Sequence, residues 1–187
     1  MEALPNIRRS LPAAQLWVAG GDHPKARGYL QDCAARYRDV PGVHFLGYVA
    51  EEYVAGLFRR ASVAVLPYNS SAGSSGVVHL ACEHQVPIVA ADIPDLRELA
   101  EFENLHVAFF PANDPQALAS ELLRVLVDDS IGKSLTEHNL RSVSKLTLRE
   151  IVADYLRTFA HTATRGLSSH DRIQTENTHS EVAASGL

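Results

Sequence analysis

Apolar residues in this chain fall into short unbroken runs, separated by longer stretches in which they recur at helical spacing. The runs lie at residues 15–19 (Gln-Leu-Trp-Val-Ala), 43–46 (Val-His-Phe-Leu), 63–66 (Val-Ala-Val-Leu), 88–91 (Ile-Val-Ala-Ala) and 106–110 (His-Val-Ala-Phe-Phe). Runs this short suit parallel strands covered on both faces. Between them, residues 24–37 place Leu30, Cys33, Ala34 and Tyr37 on one helical face, and residues 51–60 do the same with Val54, Leu57 and Phe58. Residues 77–84 form a short apolar helix, and Pro94 suits the first position of a helix over 94–100. Asn113-Asp114-Pro115 caps a helix over 115–127 that turns Leu118, Leu122, Val125 and Leu126 inward. Further helices are expected over 131–143 and 148–161, and residues 2–9 read as the end of another. Strands alternating with helices at this interval predict an α/β protein with a doubly wound parallel sheet. Residues 1–161 are read as one domain. From residue 165 the periodicity is lost, and residues 162–187 are read as a disordered tail.

Composition narrows the partners. The net charge of −5 argues against nonspecific binding to nucleic acid or to an anionic membrane, both of which need a basic excess. Cys33 and Cys82 each fall in a helical segment and read as reduced thiols. The first fifteen residues carry no apolar signal core, and no run approaches membrane-spanning length, so a cytoplasmic protein is expected.

The candidate chemistry centres on the turn after the third strand. Pro67 ends that strand, and eight of the nine residues 68–76 (Tyr-Asn-Ser-Ser-Ala-Gly-Ser-Ser-Gly) are Tyr, Asn, Ser or Gly. Such a loop leaves backbone amides free, and the helix opening at Gly76 turns its own amides and positive dipole end toward them. That arrangement favours an anion, most naturally phosphate. A plain strand-to-helix turn uses the same residues. No Walker motif and no Gly-x-Gly-x-x-Gly occurs, which steers away from NTPases and NAD enzymes. His79, Cys82 and Glu83 share a helical face, but no second ligand cluster accompanies them, so no metal is expected. Asp22-His23 reads as a loop pair.

Several segments, taken in order, resemble the C-terminal, donor-binding domain of family-four (group 1) retaining glycosyltransferases of GT-B fold. Leu16-Trp17-Val18-Ala19-Gly20-Gly21 resembles the family's strand-then-glycine segment, and Val43-His44-Phe45-Leu46-Gly47-Tyr48-Val49 its following strand end. Residues 57–67 (LFRRASVAVLP), 86–99 (VPIVAADIPDLREL) and 113–119 (NDPQALA) resemble three further blocks. The resemblance covers residues 2–161 and implies a Rossmann-like domain, one half of a GT-B fold, that binds a nucleotide-sugar for hexosyl transfer with retention. It implies diphosphate contacts from Gly20, Gly21, Ser74, Ser75, Gly76 and Val77, and base or ribose contacts from Gly47, Tyr48 and Val49. All these segments follow strands, where ligands bind in open α/β sheets. Tyr68, Asn69, Ser70 and Ser71 offer neutral donors and acceptors to the sugar, and His79 a further donor.

The sequence departs from that family in two respects. The family's paired glutamates, eight positions apart, would fall on Ala72 and Leu80 in one register and on Gly73 and Ala81 in the other. Neither pair supplies a carboxylate, and Glu83 is the nearest acid. The family's first strand, with basic residues for the diphosphate, would precede Met1, and Arg59 and Arg60 read as solvating a helix face. The catalytic residues are therefore left unassigned. The resemblance implies no cofactor beyond the nucleotide-sugar substrate, and a partner in the form of a separate acceptor-binding domain or chain. A peripheral membrane acceptor is compatible with it; nucleic acid is not expected. Two further readings stay open: an inactive glycosyltransferase-like remnant serving as a binding module, and a GT-B nucleotide-sugar epimerase.

Overall fold

In the computed structural model, the described residues are 1–22, 26–69, 75–144, 152, 156 and 157. The chain forms two compact units, 1–143 and 144–187. In the second, Val152, Leu156 and Arg157 are helical and exposed. The helix expected over 148–161 and the tail over 162–187 lie almost wholly outside the described residues.

The first unit alternates helix and strand throughout. Its elements are α1 (Leu4–Ser10), β1 (Leu16–Ala19), α2 (Tyr29–Arg36), β2 (Val43–Gly47), α3 (Glu51–Arg60), β3 (Ala64–Leu66), α4 (Gly76–Glu83), β4 (Ile88–Asp92), α5 (Pro94–Phe102), β5 (Ala108–Pro111), α6 (Pro115–Val127) and α7 (Asp129–Val143). Every expected strand is present, and every pairing is parallel. The start of α2 is a correction: the helix expected from residue 24 begins at Tyr29. Gly28 sits in the left-handed region at φ +84°, and the Asp22 carboxylate accepts the amides of Gly28 (2.6 Å) and Leu30 (2.9 Å). Asp22 thus caps α2 across its connecting loop.

Hydrogen bonding divides the strands into two sheets, β1-β2 and β3-β4-β5. The core belongs to the second. Leu66, Ile88, Val89, Ala90 and Ala91 are fully buried, under Val78, Ala81 and Cys82 of α4, Leu96 of α5 and Leu122 of α6. α1 adds Ala3 and Ile7 to the same cluster. Among the described residues of 8–65, none is buried. The β1-β2 half is therefore half-covered, a departure from the two-sided burial usual for parallel strands.

α6 is capped as its sequence predicts: the Asp114 carboxylate accepts the amides of Gln116 (2.9 Å) and Ala117 (3.0 Å), with Pro115 in the first turn. α7 is tied to the α5–β5 connection. Asn139, 1% exposed, accepts from the His106 amide at 2.7 Å and donates to the His106 carbonyl at 2.9 Å. Ser142 Oγ donates to the Asn104 carbonyl at 2.7 Å.

Candidate functional site

The glycines that follow the first two strands meet. Gly20, at φ +134°, donates its amide to the carbonyl of Gly47, at φ +66°, over 2.8 Å. The register shifts there, from Val18 opposite Phe45 to Ala19 opposite Gly47, so Leu46 is an extra residue on β2. This bulge needs positive φ on both sides, which glycine adopts at little cost. A Cβ built at Gly20, Gly21, Gly47 or Gly76 meets no atom within 4 Å. Among the described residues, nothing beyond the chain neighbours crowds the backbone at these four positions.

The third segment of the expected site is the start of α4. Ser75 is its N-cap in extended conformation, with no side-chain cap bond, and the Ser75 carbonyl accepts the Val78 amide at 2.9 Å. The first helical amides, at Gly76 and Val77, stand at the exposed end of the helix. Upstream, Leu66 is fully buried, Tyr68 is half-buried against the core, and Asn69 is exposed. Ser70, Ser71 and Ser74 lie outside the described residues. Tyr48 is 81% exposed just beyond β2, and Val49 is half-buried. Within each sheet, the parallel strands bring these segments to the carboxyl edge, the edge expected to bind ligand.

His79 has a partner within the chain. Its Nε2 lies 2.8 Å from Glu103 Oε2, at the end of α5, and the Glu103 side chain is nearly buried. Cys82, on the same helix, is a packed thiol. Burial, followed by the nearby Glu103 and Glu83 carboxylates, pushes its pKa up to about 11. A nucleophilic role would need a shift the other way.

Two basic side chains have packing roles that the sequence reading missed. The Arg60 guanidinium sits 4.7 Å over the Trp17 ring, so α3 is fastened to β1 by a cation–π contact rather than only solvated along one face. Arg97 lies 4.1 Å over the Phe109 ring and makes two bonds to Asp92, at 2.7 and 2.8 Å. That fork holds the Asp92 carboxyl below the usual carboxylate range. Arg97 is thus a cation at the carboxyl end of β4 whose charge is already matched. The only legible hint was an Asp followed five residues later by an Arg.

Among the described residues, no group of three or more His, Cys, Asp or Glu side chains is arranged to hold a metal ion. No helix among them is long and apolar enough to cross a membrane. A small apolar cavity under α5, lined by Val78, Ile88, Leu96 and Leu105 among others, offers nothing to a phosphate.

The comparisons with known proteins agree with this architecture. The family described as "Glycosyl transferases group 1" matches residues 1–128. A phosphatidyl-myo-inositol mannosyltransferase of Mycobacterium leprae is 27% identical over 169 residues, covering 89% of this chain and 43% of that protein. The chain therefore spans less than half the length of this curated relative. Among solved structures, Anabaena HepE in complex with UDP and glucose superposes with a TM-score of 0.68 at 16% identity, over 83% of this chain and 44% of that one. The C-terminal domain of a group 1 glycosyltransferase, LpcC of Francisella tularensis, superposes with a TM-score of 0.63 at 14% identity, over 77% and 75% of the two chains. The fold is the Rossmann-like α/β half of a GT-B architecture, and the chain belongs to the group 1 glycosyltransferases.

Proposed function

We propose that this chain binds the nucleoside diphosphate part of a nucleotide-sugar donor, as the donor domain for hexosyl transfer with retention. The observation that carries the reading is the Gly20–Gly47 bulge, whose open backbone follows two adjacent parallel strands. The exposed start of α4 supplies the complementary piece, with first-turn amides and a positive dipole end suited to a diphosphate. Tyr48 and Val49 stand beyond the same bulge, where a base or ribose would lie, and Tyr68 and Asn69 stand where β3 gives way to the serine-rich loop. The structural neighbour HepE was solved with UDP and glucose, which makes UDP the first nucleotide to try.

Chemistry needs more than the cradle. Charge developing on a leaving diphosphate must be stabilised. Of the cations at the strand ends, Arg97 is already matched by Asp92. Neither register of the family's glutamate pair carries an acid in this sequence. These two features favour, as a second reading, a module that keeps donor binding and leaves transfer to a partner domain or chain. Ligand-observed NMR with UDP, GDP and ADP tests the binding. Incubating the chain with UDP-hexoses and following release of UDP then separates a transferase from a binding module.

A further inference from the structure

We infer that the amino edge of the parallel strands is a self-complementary interface for a second copy of this chain, each copy setting its basic half on the other's acidic half. The inference is independent of any nucleotide ligand, whose candidate site lies at the opposite, carboxyl edge.

In a parallel sheet every helix that leads into a strand ends at the amino edge, so helix ends gather there. Before β1, β2 and β3 those ends are basic. α1 ends with Arg8 and Arg9, α2 with Arg36 followed by Arg38, and α3 with Arg59 and Arg60. All but Arg8 are exposed. Residues 8–15, 36–42 and 59–63, which lead into these strands, hold a single carboxylate, Asp39.

Before β4 and β5 the same edge is acidic and apolar. α4 ends at Glu83 and α5 at Glu101 and Phe102, while α6 runs back along β5 and brings Val127, Asp128 and Asp129 to this edge. The four carboxylates are exposed. Phe102 is 88% and Val127 66% exposed. Residues 83–87, 101–107 and 127–129 hold no Lys or Arg.

Two observations separate this pattern from ordinary helix termini. A helix C-terminus is a negative dipole end that favours cations, and Glu83 and Glu101 stand against that rule. The charges are also unmatched. Among the described residues, none of the six arginines and none of the four carboxylates forms an ion pair, whereas Arg97, Arg124 and Arg141 are each matched by a carboxylate. Arg60 rests on the Trp17 ring, Arg36 on the Tyr37 ring and Arg8 on the Ala14 carbonyl, contacts that leave their charge uncompensated.

A copy of this chain carries both complements at once. Related by a twofold axis, two copies place each set of arginines against the other's carboxylates, and each contact occurs twice. Phe102 and Val127 then gain apolar cover at the centre of a polar rim. A polyanion would meet the carboxylates of the same edge, and a basic partner its arginines.

The test is sedimentation velocity on the full chain at about 0.1 mM. In about 50 mM salt the parent should run at twice the monomer mass, and in about 500 mM salt it should shift toward monomer. One variant combines Arg9→Glu, Arg38→Glu and Arg59→Glu; the other combines Glu83→Arg, Glu101→Arg and Asp129→Arg. Each alone should be monomeric in low salt with the parent's circular dichroism. Mixed in equal amounts they should form a dimer, because each carries the charge that the other lacks. The proposal is overturned if the parent is monomeric in low salt, if either folded variant dimerises alone, or if the mixture of folded variants stays monomeric. A parent dimer that persists unchanged in high salt overturns it as well, whether or not a variant folds.

Discussion

The amide of Gly20 and the carbonyl of Gly47 lie 2.8 Å apart, joining two positive-φ glycines across a bulge at the ends of β1 and β2. The bond fixes the shape of the candidate site's floor before any ligand arrives. Gly47→Ala should therefore destabilise the chain by about 1–2 kcal/mol through backbone strain alone, since its Cβ would meet no neighbour. Gly76→Ala also places a Cβ in open space but on helical backbone, and should stabilise by up to about 1 kcal/mol. Urea unfolding of the two variants separates strain from packing: equal effects would show that the Gly47 conformation carries no cost.

Asn139 is the pin of α7. Its side chain is buried and satisfies both the amide and the carbonyl of His106. Asn139→Ala removes both bonds and should cost about 2–3 kcal/mol. A loss below about 0.5 kcal/mol in the unfolding midpoint would mean that α7 is held by its apolar contacts alone.

Acid should loosen the same junction. His106 and His138 stack with centroids 3.5 Å apart and planes 3° from parallel, and His138 Nε2 lies 2.8 Å from the Asn104 carbonyl. Burial, followed by the neighbouring His138, lowers the His106 pKa below its usual 6.5. The unfolded chain then binds this proton more readily than the folded one. The associated stability is present above about pH 6.5 and is lost as pH falls below that value toward the folded pKa. Unfolding midpoints measured from pH 7.5 to 5.5 should fall on the acid side, and His138→Gln should flatten the slope. An unchanged slope in that variant would remove the stacked pair from the explanation.

Much of this architecture is legible in the sequence because its signals are local. Ile88-Val89-Ala90-Ala91 has no polar alternation, and it is the most buried strand; Asp114 and Pro115 announce the start of α6, and both act as expected. Apolar runs reveal which residues form strands, but not which edges meet. The division between β1-β2 and β3-β4-β5 therefore had no sequence signal. α2 was misplaced because Pro24 suggested a start, whereas the Asp22 carboxylate, several residues away, sets it at Tyr29. The Glu103 partner of His79 and the Trp17 partner of Arg60 are 24 and 43 residues distant, beyond the reach of any periodicity. At the candidate site, the glycines were recognisable, while their mutual hydrogen bond and the open space around them required coordinates.

The most direct test of donor binding is a calorimetric titration of UDP into the chain and into its Gly76→Val and Gly132→Val variants. A millimolar affinity is expected for the parent, because neither register of the family's glutamate pair supplies an acid and the Arg97 charge is already matched by Asp92, each costing about 2 kcal/mol. Gly76→Val should abolish the signal, since a branched side chain fills space that is otherwise open to phosphate. Gly132, where an added Cβ makes only an ordinary 3.8 Å contact with the Val125 carbonyl, should tolerate the same change with binding intact. Binding that survives Gly76→Val, or no binding of UDP, GDP or ADP to the parent at millimolar concentration, would contradict the donor-site account.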